Sequence, residues 1–139
     1  MRTPADSNPP IKRHMTPFPY SIASDRGLAE ARAMLDEHDI RHLPVTRDGA
    51  LYGVLFRAEL LVAEELKGER AVSVGDVCTP SPLIVDLNTP LAEVAATMVE
   101  RRVSAALVTR AGKLVGILTS TDVCRLLAEL LRGPPDEVA

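Results

Sequence analysis

Apolar and polar positions follow one pattern along this chain, and the pattern occurs twice. Leu91, Val94, Ala95 and Met98 stand at helical spacing and predict a helix over 90–101. Thr89 reads as its N-cap and Pro90 as its first helical residue, where a missing N–H costs nothing. Leu28, Ala31 and Leu35 give the same face to an earlier helix over 27–38. After each helix comes an apolar strand, Leu43–Thr46 or Ala105–Thr109. A turn follows, with Asp48-Gly49 or Ala111-Gly112, and then a second strand, Leu51–Phe56 or Leu114–Thr119. A further apolar helix closes each block, about Arg57–Leu66 and Thr121–Leu131. A short extended piece, Tyr20–Ile22 or Leu83–Val85, precedes each first helix, and a Thr-Pro turn opens each block, at Thr16-Pro17 and Thr79-Pro80.

The two blocks are copies. Shifted by 63 residues, Met15–Leu60 falls on Cys78–Val123 without a gap, and about a third of the positions are identical. Thr16-Pro17 meets Thr79-Pro80, Val45-Thr46-Arg47 meets Val108-Thr109-Arg110, and Gly49, Leu51, Gly53 and Leu55 meet Gly112, Leu114, Gly116 and Leu118. The fold class expected is therefore α/β (α+β), as two β-α-β-β-α motifs in tandem. The first motif runs over 11–66 and the second over 74–132, with a linker at 67–73. The Pro-rich segment 1–10 and the stretch 133–139 read as disordered tails, with Gly133 as a helix stop.

Composition narrows the function. The 139 residues are 46% hydrophobic but only 3% aromatic, so the core is aliphatic. A net charge of −3 and a pI near 5.6 argue against a nucleic-acid surface. Cys78 and Cys124 make no disulfide framework and read as small buried hydrophobes in a reducing cytosol. No pair among Cys78, Cys124, His14, His38 and His42 has metal-ligand spacing. No apolar run reaches membrane-spanning length, and the first residues lack the apolar core of a signal peptide, so a cytoplasmic protein is expected. Nothing resembles a Ser/His/Asp grouping or a paired-carboxylate motif, so no enzyme is expected.

The chemistry concentrates at Gly116-Ile117-Leu118-Thr119-Ser120-Thr121-Asp122, where a strand turns into a helix. The first amides of a helix have no intrahelical partner, and the helix dipole adds positive character there. Thr119 offers a hydroxyl, and Asp122 a carboxylate able to accept from two neighbouring hydroxyls, as on a ribose. Phosphate donors beside a ribose acceptor suggest a nucleotide. The same residues also read as ordinary helix capping.

A tandem β-α-β-β-α unit with Gly-apolar-apolar-Thr-x-x-Asp at this corner resembles the CBS (cystathionine β-synthase) domain pair, over Ile11 to about Leu131. The resemblance implies two motifs packed about a pseudo-two-fold axis. It also implies clefts for AMP, ADP, ATP or S-adenosylmethionine, dimerisation through helices, and regulation of an attached or partner enzyme without catalysis. Carried onto this chain, Thr119 bonds the phosphate and Asp122 the ribose, with Ser120 and Thr121 as further donors. Adenine lies between Pro82-Leu83-Ile84 and Val103-Ser104-Ala105. The first motif departs from the pattern: Phe56 replaces the hydroxyl residue and Glu59 the Asp. At most one good site per chain is expected, around the second motif.

Weaker candidates are Arg13 and His14, with Lys12, which would lend charge to a phosphate, and Arg57 and Arg102, which would face a polyphosphate. His42 reads as a half-buried polar residue and His38 as a helix-end residue. The closing helices are apolar on more than one side, through Val123, Leu126, Leu127 and Leu130, and through Leu60, Leu61, Val62, Ala63 and Leu66, which suggests a symmetric homodimer. An effector protein is implied but unnamed by the sequence. The competing reading is a structural dimerisation module whose ligand sites have lapsed.

Overall fold

A computed structural model of the chain describes residues 8–17 and 19–133. The expectation for residues 1–7 and 134–139 lies outside the described residues. The chain forms two compact units, each with its own four-stranded sheet. The first unit is Pro19–Pro82. The second begins at Leu83 and also takes the opening segment before Pro19.

In chain order the elements are β1 (Thr16–Pro17), β2 (Ile22–Ala23), α1 (Leu28–Glu37), β3 (His42–Arg47), β4 (Ala50–Phe56), α2 (Arg57–Lys67), α3 (Val74–Val77) and β5 (Thr79–Pro80). They continue with β6 (Leu83–Asp86), α4 (Leu91–Arg101), β7 (Ala105–Arg110), β8 (Lys113–Thr119) and α5 (Ser120–Arg132). The first sheet has the order β2-β3-β4-β5 and the second β1-β8-β7-β6. In each, a short strand runs parallel to the first hairpin strand, β2 with β3 and β6 with β7. The hairpin turns carry two consecutive left-handed residues, Asp48 (φ 53°) and Gly49 (81°) in one, Ala111 (51°) and Gly112 (78°) in the other. That conformation matches the twist of the flanking strands, so the turn residues fix the register.

Each unit closes an aliphatic core. In the first, Leu28, Ala31 and Leu35 of α1 pack with Leu43, Val45, Leu55, Leu60, Val74 and Cys78. In the second, Leu91, Val94 and Met98 of α4 pack with Leu83, Ala106, Val108, Leu118 and Ile11.

The Thr-Pro openings are not turns. Thr16-Pro17 is an antiparallel edge strand on β8, and Thr79-Pro80 the same on β4. Proline is tolerated there because an edge strand leaves one side of its backbone unpaired. Each repeat's opening thus completes the other repeat's sheet. Ile11, the first residue of a short 3₁₀ turn (Ile11–Arg13), is fully buried in the second unit and donates its amide to the Thr89 carbonyl at 2.8 Å. Val74 donates to Arg26 in the same way, also at 2.8 Å. The close crossing accounts for two glycines. A Cβ on Gly53 would stand 2.5 Å from the Thr79 carbonyl oxygen, and one on Gly116 would run into the Met15 thioether.

Two expectations at the start of the second unit are corrected. Thr89 is not the N-cap of α4: Pro90 holds that position with no side-chain cap. The acceptors come instead from Asn8, whose Oδ1 takes the Ala92 amide at 3.0 Å, and from the Pro9 carbonyl, which takes the Leu91 amide at 2.7 Å. Asn8 and Pro9, read from sequence as part of a disordered tail, are therefore bonded to this helix. The short helix α3 was also not anticipated, although Ser73 and Asp76 carry a capping-box spacing. The Ser73 amide donates to Asp76 Oδ2 at 3.0 Å. That bond, with a second from the Ser73 side chain, holds the Asp76 carboxyl below its ordinary pKa.

Candidate functional site

The sheet topology gathers the predicted residues of the second unit. Strand β7 lies between its two neighbours. Ala105, at its start, pairs with Thr119 at the end of antiparallel β8, and Ala106 pairs with Leu83 at the start of parallel β6. Leu83, Ala105 and Thr119 therefore share one end of the sheet, and α5 starts from the same end. Leu83 and Ala105 are buried, Val103, Ser104, Thr119 and Asp122 half-buried, and Ile84, Ser120 and Thr121 exposed. Pro82 is the last residue of the first unit.

At the corner itself the capping geometry is real. The Asp122 amide donates to Thr119 Oγ1 at 3.3 Å, and the Thr119 amide donates to Asp122 Oδ2 at 2.8 Å. The Thr119 hydroxyl also donates to Oδ2, at 3.0 Å, while Arg125 holds Oδ1 at 3.2 Å. Only 13% of the Asp122 side chain is exposed. The Ser120 amide is taken by the Ser104 carbonyl at 2.9 Å, which ties the helix start to the segment entering β7. Among the described residues the Thr121 amide has no partner, so it is the donor left at the exposed end of the helix.

The first unit repeats this backbone with other side chains. The Arg57 amide is taken by the Arg41 carbonyl at 2.9 Å. The N-cap position is Phe56, which has no acceptor, and its ring packs edge-on against His42 with centroids 5.2 Å apart. Glu59 is fully engaged: Oε1 accepts the Phe56 amide at 2.9 Å, and Oε2 accepts the Thr79 hydroxyl at 2.6 Å. Arg57 pairs with Asp36 at 2.7 Å.

The remaining candidates separate. Lys12 bonds Asn88 at 3.1 Å, and Arg13 is exposed. His14 lines an apolar groove of about 450 Å³ with Leu91, Ala95, Val123 and Leu126. A second hollow, of about 330 Å³, is lined by Arg102, Val103, Ser120 and Val123, so Arg102 does reach the corner's neighbourhood. His38 caps α1 and stacks on Tyr20, with centroids 3.6 Å apart. Cys78 is buried, and desolvation raises its thiol pKa. Cys124 is exposed, against expectation, because α5 buries none of its residues fully.

Charge separates the two units as well. Among the described residues the second unit carries eight Lys/Arg against five Asp/Glu, and the first seven against eleven. The unit with the intact Thr–Asp corner is the cationic one.

Known proteins resemble this chain in sequence and fold. The CBS domain model matches residues 11–65 and again 74–129. Hypoxic response protein 1 of Mycobacterium tuberculosis is 30% identical, with 78% of each chain covered. An uncharacterized protein of Methanocaldococcus jannaschii is 27% identical over 92% of this chain, which spans only 34% of that protein's length. The crystal structure of CBSX2 in complex with AMP matches with a TM-score of 0.72 at 32% identity, covering 88% of this chain and 98% of that one. The CBS domain of a bacterial CNNM/CorC family Mg2+ transporter in complex with ATP gives a TM-score of 0.72 at 27% identity, covering 86% and 87%. With two matched copies, two repeated sheets and a Gly-x-x-Thr-x-x-Asp corner in the second, this chain belongs to the CBS domain family and is a tandem CBS pair.

Proposed function

We propose that this protein is a non-catalytic regulatory module that binds one adenosine-containing ligand per chain at the second unit's corner. The observation that carries the reading is the convergence of Leu83, Ala105 and Thr119 at one sheet end. This gives a buried aliphatic floor for a purine next to the corner that holds Asp122. Thr119 and the Thr121 amide serve the phosphate, Ser120 lies beside them, and the Asp122 carboxylate takes the ribose hydroxyls. Ile84, Val103 and Ser104 complete the adenine cradle. The excess of Lys/Arg in this unit favours an anionic ligand. AMP, the ligand of the CBSX2 structure, is the first choice, and ADP, ATP and S-adenosylmethionine are the alternatives.

The ligand regulates by binding two arrangements of the module unequally, in a cytoplasmic homodimer joined through helices and coupled to an effector protein. Exposed Leu127, Leu130 and Leu131 on α5, and Leu61, Val62 and Leu66 on α2, supply the apolar surface for that interface. Among the described residues no helix is long and apolar enough to cross a membrane. A dimerisation module with lapsed sites is the second reading, favoured by the Glu59–Thr79 closure of the first corner.

A thermal-shift titration with AMP, ADP, ATP and S-adenosylmethionine separates the two. Saturation at about a hundred times the dissociation constant stabilises by roughly 2.7 kcal/mol, a rise of about 5 °C or more for a chain of this size. Asp122→Asn, which keeps an acceptor for the Thr119 amide, abolishes the shift, and Glu59→Ala leaves it nearly intact. No shift with any of the four, or equal loss at both positions, rejects the assignment.

A further inference from the structure

The repeat places a threonine beside each corner. Thr79 on β5 stands opposite Val54, and Thr16 on β1 stands opposite Ile117. The 63-residue offset carries each member of one pair onto its counterpart in the other. In the repeat, Thr16 on its edge strand therefore holds the register position toward Asp122 that Thr79 holds toward Glu59. The outcome differs because the acids differ by one methylene. Glu59 spans from the helix-start amide to Thr79, with 2.9 and 2.6 Å bonds. Among the described residues no bond joins Thr16 to Asp122. Its two oxygens go to Thr119 and Arg125.

We propose that the third helical residue and the edge-strand threonine form a latch, closed in the first unit as Glu59–Thr79. In the second unit it stands open because Asp122 is one methylene too short to reach Thr16. Closing the latch fixes the acid away from the ligand and pins the edge strand to the helix start. Thr16 is on this account a positioning residue, acting only through the residue at position 122. The proposal rests on the second corner being the ligand site, but the latch itself is a property of the protein without ligand.

The test is a double-mutant cycle of Asp122→Glu and Thr16→Val, with Thr16→Ser as the conservative variant, read by thermal melting and by titration with AMP. Asp122→Glu raises the melting temperature by about 3 °C and weakens AMP by about fivefold, the population cost of opening the latch. Thr16→Val in that background cancels both effects, and Thr16→Ser cancels neither. Additive melting effects, or AMP weakening that Thr16→Val leaves in place, overturn the latch. Coupling in the melts of a protein that never responds to AMP upholds the latch and rejects the ligand reading instead.

Discussion

The two corners share a backbone and diverge in how their acids are satisfied. In the first, Glu59 bridges a helix-start amide and an edge strand, while Phe56 leans on His42. In the second, Asp122 and Thr119 cap each other, and among the described residues the second acid oxygen is held only by Arg125, whose side chain is 64% exposed. An ion pair whose cation is largely exposed contributes little, and that cation exchanges readily with solvent or a ligand. A buttressed carboxylate and a merely capped one thus arise on the same scaffold from a methylene and an aromatic ring.

The largest effect expected from pressing this comparison lies at the strand crossings. Gly53→Ala forces a Cβ onto the Thr79 carbonyl, a backbone atom that cannot move alone, and costs about 2–4 kcal/mol in a urea melt. Gly116→Ala meets the Met15 side chain instead. A thioether swings aside, so the cost is about 1 kcal/mol. Equal costs would show that the two edge strands are held alike.

Next comes the cap. Thr119→Ala removes the acceptor for the Asp122 amide and costs about 1 kcal/mol, which Thr119→Ser recovers. Phe56→Thr gives the first unit the acceptor it lacks while losing the ring against His42, and shifts the melt by less than about 1 kcal/mol.

Thiol chemistry separates the units without changing their stability. Cys124 is alkylated in the native protein. Cys78 is buried with its pKa raised by desolvation, and labels only on unfolding, as peptide mass spectrometry would record.

The smallest effect is in acid. Asp76 caps α3, and Arg13 stands at the matching position of the second unit. Because the folded pKa of Asp76 is lowered, its contribution is complete above the ordinary carboxylate value and is lost as pH falls through the folded one, below about pH 4. The protection against exchange of the Ser73 amide, whose N–H the carboxylate holds, falls there relative to its intrinsic rate, and Asp76→Asn flattens that dependence.

Local chemistry made much of this legible in advance. The helical spacing of Leu91, Val94 and Met98, the Asp48-Gly49 turn and the fixed offset between copies each act within a few residues, so pattern alone recovers the hairpins and the corner. Partners supplied from far along the chain were not legible. Nothing near Thr89 says that Asn8 caps α4, and nothing near Arg57 says that Asp36 neutralises it. A repeat with a fixed offset also looks the same whether Thr16-Pro17 closes its own motif or the other one, so the exchange of edge strands is invisible to periodicity. The Ser73–Asp76 box was a readable local signal, masked by its place in an apparent linker.

The exchanged edge strands also set an order of events as the chain is made. Pro19–Pro82 is one continuous stretch, and every strand of its sheet is available once Pro80 has been synthesised. The other sheet must hold Thr16 in reserve until Ile117 appears, about a hundred residues later. Closing so long a loop is entropically costly and slow. Vectorial synthesis therefore favours early consolidation of the half with the latched corner, while the half with the open corner assembles last, when the Thr16 strand finally docks.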